Sequence, residues 1–190
     1  MDRSCGSCSS CCTVLRVDEL QKLGGVSCVH QDQSGPGCSV HAHRPAVCRG
    51  YHCLWLKGGL PEGSRPDQLG AVLDVIHDGA QARLEIRECR AGAFEASAEL
   101  AEIAERYRVT MPVRVTDVAA VLDPDRPYRV LLPGSEEHRV RGEWTEIHRG
   151  GQWVETRRLS WLERWTRRSI LAWRGRRLRR ARDQGPSRVL

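Results

Sequence analysis

The sequence predicts an α+β fold: a cysteine-rich, metal-stabilised N-terminal module packed with a small antiparallel sheet plus helix, followed by a C-terminal basic helix. Three observations lead there. Eight of the nine cysteines fall between Cys5 and Cys53. Period-two and helical apolar patterns follow one another from Ala71 to Leu132. Arginines then crowd the chain after Arg157.

At 190 residues the chain has room for one domain with appendages. Phe94 is its only phenylalanine, so the six tryptophans carry much of the bulky apolar surface. The glycine- and cysteine-rich N-terminal third has little apolar material, and such a segment needs staples, either disulfides or metal. Met1-Asp2-Arg3-Ser4-Cys5 has no apolar signal region, and no run approaches the roughly 18 apolar residues of a membrane span. The expectation is a cytoplasmic protein, where thiols stay reduced and clustered cysteines favour metal over disulfides. The net charge of +6 reflects the C-terminal arginines and not the cysteine module.

Residues 1–58 form the cysteine-rich metal-binding module. Val14 to Leu23 has apolar residues at Val14, Leu15, Val17, Leu20 and Leu23, a spacing that predicts a short helix ended by Gly24-Gly25. Ser34-Gly35-Pro36-Gly37 predicts a turn, and Pro45 is placed to open a helical turn carrying Cys48. Residues 59–135 form a small α+β region. Ala71–Ile76 reads as a buried strand, Asp78-Gly79 as a turn and Ala82–Cys89 as an alternating strand. Phe94 to Tyr107 has helical spacing, and Pro112–Thr116 and Tyr128–Leu132 read as strands, the last closed by Pro133-Gly134. The order β-β-α-β-β predicts an antiparallel sheet with a helix on one face. Residues 136–158 suggest a hairpin around Gly150-Gly151, residues 159–183 a Trp/Arg-rich helix, and residues 184–190 a frayed tail.

The chemistry concentrates in the cysteines. Cys5, Cys8, Cys11 and Cys12 form C-x-x-C-x-x-C-C, joined by Cys28, Cys38, Cys48 and Cys53. A tight C-x-x-C turn brings two sulfurs to one ion, and zinc takes four ligands in a tetrahedron. Eight thiolates suffice for two ions, or for one ion with thiols to spare. Side chains of the neighbours Cys11 and Cys12 point in different directions, which suggests two ions or a bridging thiolate. An iron–sulfur cluster fits less well. Cys5, Cys8 and Cys11 match the start of the ferredoxin pattern, but Cys12 follows at once where a three-residue gap is needed. Zinc and iron both remain open. His30, His41, His43 and His52 lie in the same stretch, as ligands or, more simply, as hydrogen-bonding neighbours of the thiolates. Cys89, outside the cluster, reads as a small core residue.

The ordered cysteines, with Gly37-Cys38-Ser39-Val40-His41 and His43-Arg44-Pro45-x-x-Cys48-Arg49-x-x-x-Cys53, make the chain resemble the YkgJ-type cysteine-cluster family of zinc- or iron-chelating domains. The likeness covers roughly residues 5–56. It implies a metal-binding module with Cys5, Cys8, Cys11, Cys12, Cys28, Cys38, Cys48 and Cys53 as ligands. Arg44 and Arg49 would offset the charge of a thiolate site, since four thiolates on zinc carry a net −2; an anionic substrate is the alternative partner.

On the C-terminal helix, Leu159, Trp161, Leu162, Trp165, Ile170, Ala172 and Trp173 fall within about half the circumference, with Arg164, Arg167, Arg168 and Arg174 opposite; Leu171 breaks the pattern, and after Arg176 arginines surround the helix and the amphipathicity is lost. The simplest expectation docks the Trp face on the domain and leaves the arginines in water. A membrane surface or non-specific nucleic-acid contact are the rivals. No G-x-S-x-G, P-loop, H-E-x-x-H or G-x-G-x-x-G motif occurs. Asp74, Glu85, Glu88, Asp117 and Asp123 read as solvated carboxylates. The expected function is non-catalytic zinc or iron binding, as a chelator or as a structural metal supporting an interaction module. A metal-dependent or iron–sulfur redox enzyme is the alternative, and an adaptor acting through residues 159–183 the second.

Overall fold

A computed structural model describes residues 3–31, 37–79, 81–117 and 125–183. The expected turn at 34–36, Asp123 and the tail 184–190 lie outside the described residues.

Among the described residues, seven strands form one mixed sheet in sequential order. They are β1 (Ala71–Asp78), β2 (Gln81–Glu88), β3 (Val113–Asp117), β4 (Tyr128–Leu132), β5 (Glu136–Arg141), β6 (Trp144–Arg149) and β7 (Gln152–Arg158). Short helices α1 (Ser10–Val14), α2 (Ala46–Gly50) and α3 (Pro66–Leu69) precede the sheet; α4 (Ala93–Ala96) and α5 (Ala98–Arg108) join β2 to β3, and α6 (Trp161–Asp183) follows β7. The α+β class is as expected, but the sheet is neither small nor purely antiparallel. β2 and β3 run parallel, with Leu84 opposite Val113 and Glu88 opposite Asp117. A helical crossover returns the chain to the same end of the sheet, and parallel neighbours require such a crossover. Pro133-Gly134 does not end the sheet. It makes the turn into β5, with Gly134 at φ 83° and Ser135 at φ 66°. Gly142 and Gly150-Gly151, all at positive φ, make the next two turns. The short polar strand Glu136–Arg141 has no apolar run to announce it, so only its pairing with β4 and β6 defines it.

The main core lies between the sheet and α5. Leu73 of β1, Leu84 and Ile86 of β2, Val113 and Val115 of β3 and Leu131 of β4 face Leu100, Ile103 and Ala104 of α5. Alternation along each strand puts these residues on one face. Ser97 caps α5 by accepting a hydrogen bond from the Leu100 N–H at 3.2 Å, and it breaks the single helix expected from Phe94 to Tyr107 into α4 and α5. Leu54, Trp55 and Leu60, directly after Cys53, close the core from the side of the cysteine module. The opposite face of β1 presents Val72, which packs with Val14 of α1 and with the partly buried Tyr51, Cys53 and Cys89.

The helix expected from Val14 to Leu23 is replaced by α1, which starts earlier and carries Cys11 and Cys12, and by a single 3-10 turn at Asp18–Leu20. Val17 and Lys22 pair across that turn, burying the apolar residues without a helix. Two of the carboxylates read as solvated are buried. Glu85 meets Arg83 at 2.8 Å, and Glu88 accepts from the Phe94 N–H at 2.8 Å, holding the start of α4. No helix among the described residues is long and apolar enough to cross a membrane.

Candidate metal centre

Local backbone bonds bring the cysteines together. A turn closes Cys5 to Cys8, with the Cys8 N–H donating to the Cys5 carbonyl at 2.9 Å. α1 follows at once and presents Cys11 and Cys12. A second turn runs from Cys28 to Gln31, and Gln31 bridges to Cys38. The Gln31 side chain donates to the Ser9 hydroxyl at 3.1 Å, which ties this segment to the start of α1. Pro45 precedes α2, as expected, and α2 carries Cys48.

These elements surround one cavity of about 50 Å³. Cys5, Cys8, Cys11, Cys12, Cys28, Cys38 and Cys48 all line it. Cys53 does not: it packs where the two apolar clusters meet. The cavity is far smaller than the roughly 300–1,000 Å³ of small-molecule sites, so its dimensions suit ions. All nine cysteines are free thiols. Among the described residues, no three His, Cys, Asp or Glu side chains stand in an arrangement that would hold a metal ion. The thiols are therefore gathered around a common space without converging on one point within it.

Cys11 and Cys12 both line this cavity. The neighbouring Cys11 thiol, with Lys22 and Arg44 assisting against the cost of burial, lowers Cys12 to about 7, and Cys12 together with burial raises Cys11. Burial raises Cys38 and Cys48.

Lys22 is the functional candidate that the sequence reading missed. It is only 7% exposed, and its ammonium donates to the carbonyls of Thr13, Leu15 and Leu23. Burial lowers its pKa, while Cys28, Cys12 and Cys48 oppose that shift. A buried cation is costly unless paired; here it is held at the wall of a thiol cavity. A usable signal was present, since Lys22 is one of only two lysines in an arginine-rich chain and sits within an apolar run.

Of the two arginines expected to balance charge, Arg44 lines the cavity and bonds His41 Nε2 at 2.6 Å. Arg49 does not line it; it donates to the Arg44 carbonyl at 2.8 Å and supports that residue from outside. His30 and His41 line the cavity, whereas His43 is exposed and His52 lies outside it, bonded to the Gly50 carbonyl at 3.2 Å. Cys89 is partly buried, with its thiol against the Ser10 carbonyl at 3.9 Å, and burial raises it to about 11. It joins the sheet to α1 and does not line the cavity.

No family model matches the chain, and no curated protein or solved structure matches it.

Proposed function

We propose that the chain is a metal-binding protein of the YkgJ-type cysteine-cluster kind, whose cavity thiols close on zinc or iron without catalysing a reaction. The observation that carries this reading is the meeting of seven thiols with Lys22 and Arg44 around one cavity of ion-scale volume. The donor set suits zinc or iron, and the two cations would offset the negative charge that thiolates acquire on losing their protons. Cys5, Cys8, Cys11, Cys12, Cys28, Cys38 and Cys48 would supply the ligands, and Arg49 would brace Arg44. Bound metal would supply cross-links to a segment with few apolar contacts.

Element analysis of anaerobically purified protein, with thiol counts before and after chelation, tests the proposal. The expected result is zinc or iron at one or more ions per chain, with thiols that react only after chelation. Cys12→Ser and Cys48→Ser should lose metal while Cys89→Ser keeps it. Protein that stays metal-free after reconstitution with either metal, with all thiols reactive, would overturn the proposal. A visible absorption band would assign iron, and colourless stoichiometric zinc the other metal.

A further inference from the structure

The C-terminal helix is docked the opposite way round from the simplest expectation. Its start is set by Ser160 and Glu163, which bond reciprocally: the Glu163 N–H donates to the Ser160 hydroxyl at 3.3 Å, and Glu163 accepts from the Ser160 N–H at 2.8 Å. From there α6 attaches by its arginines. Arg164 donates to Glu143 at 2.8 Å, Arg167 to the Gly142 carbonyl at 3.0 Å, and Arg168 lies 3.7 Å from Glu143. The guanidinium of Arg167 also lies over the Tyr128 ring. The β5–β6 turn thus holds the basic face, and the apolar face points away from it. Trp161 is 70% exposed, Trp165 63% and Trp173 55%, with Leu162 and Ile170 also exposed. The neighbouring edge strand β7 is exposed throughout and adds Trp153 at 62%.

We propose that this Trp face of α6 docks on an anionic lipid surface. A row of three tryptophans with Leu162 and Ile170 on a helix about 34 Å long is apolar surface that water does not favour. The charge around it selects the occupant. Residues 157–190 hold twelve arginines against Glu163 and Asp183, so the +6 of the whole chain rests on this segment. Two copies meeting through this face would bring like charges together, whereas a layer of anionic headgroups complements them. Nucleic acid would use the charge but leave the tryptophans in water. A helix lying in the headgroup region uses both: indole rings settle at the boundary, and the arginines from Arg176 onward, beyond the docked stretch, supply the charge that the phosphates complement. Because the basic face is already engaged by Glu143, the helix is presented at a set orientation.

Flotation of the full chain with vesicles of phosphatidylcholine, alone or mixed with phosphatidylserine, tests the proposal. The chain should float with the mixed vesicles and not with phosphatidylcholine alone, and high salt should release most of it. Trp161→Ser combined with Trp165→Ser should lower partitioning by roughly tenfold or more. Far-UV circular dichroism should not change, since both side chains are largely exposed. Arg176→Gln should lower partitioning about fivefold, as for one charge near an anionic surface. The proposal is overturned by any of three results: no flotation with mixed vesicles, undiminished flotation of the double Trp variant, or duplex DNA binding that replaces vesicle binding.

Discussion

The two faces of β1 are covered by very different material. On one, Ala71 and Leu73 meet a layer that includes Leu84, Ile86, Phe94, Leu100, Ile103 and Val113. On the other, Val72 meets Val14, with only the partly buried Tyr51, Cys53 and Cys89 beside it. The Tyr51 hydroxyl is buried there without a hydrogen-bond partner among the described residues, and burial holds its proton on. The first face is stabilised by apolar burial and by a capped helix. The second has too few apolar groups to hold a module of some fifty residues by the same means. The contrast teaches that one half of the chain has an apolar core of its own, while the other has little apolar burial behind it.

Metal removal is the strongest way to break that comparison. Structural zinc is worth about 10–16 kcal/mol in zinc-finger peptides. A chelator should therefore release backbone hydrogen exchange across residues 5–56 and leave β1–β3 and α5 protected. Equal loss on both sides would mean that the halves are one cooperative unit. Leu100→Ala attacks the other side of the comparison. It empties a fully buried position and should cost about 2–5 kcal/mol in urea unfolding, while the metal content of the folded protein stays the same. Val14→Ala tests the junction. Removing two methyl groups from the contact with Val72 should cost about 1–2 kcal/mol, read as faster exchange in residues 5–56 alone. Lys22→Met sharpens the electrostatic part. Loss of the buried cation should weaken metal binding about 10–100-fold in a competition titration, as outer-shell changes commonly do.

Glu88→Gln gives the smallest effect, and its sign follows from the environment. Burial raises the Glu88 carboxyl above its ordinary 4.5, with Glu95 and Asp117 adding repulsion. A group whose folded value is raised contributes stability that is complete below the ordinary value and lost as pH rises through the raised one. The Gln variant can still accept the Phe94 N–H. It should equal or slightly exceed the parent near neutrality and lose this component of the parent's pH dependence in thermal melts. A variant markedly less stable at neutral pH would show that the ionised carboxylate is needed to hold α4.

Much of the fold was legible from patterns that local chemistry enforces. Strands at Ala71–Asp78, Gln81–Glu88, Val113–Asp117 and Tyr128–Leu132 have apolar residues facing one core, so their spacing announces them. Pro45 announces α2 in the same way, and Gly150-Gly151 the β6–β7 turn. β5 was hidden because Val140 is its one apolar residue among Glu, His and Arg, which is too little for an apolar alternation. The parallel pairing of β2 with β3 was hidden because partner choice is not local. At the candidate site the eight cysteines were legible as a cluster, while Lys22 was marked only by its rarity and its apolar setting, and its burial at the cavity wall was decided by the fold.

The sequence alone determined that this chain has thiols in metal-ligand spacing, an apolar α+β core and an arginine-rich helix with tryptophans on one face. Each is a matter of residue identity and period, which act along the chain. Tertiary structure decided which groups meet. It gathered seven cysteines with Lys22 and Arg44, and placed Cys53 and Arg49 outside their cavity. It also turned α6 so that arginine contacts the domain and tryptophan contacts solvent. Helical periodicity separates the two faces of α6 but is indifferent to which one docks. Glu143, reached by Arg158, Arg164 and Arg168 from different places in the sequence, makes that choice.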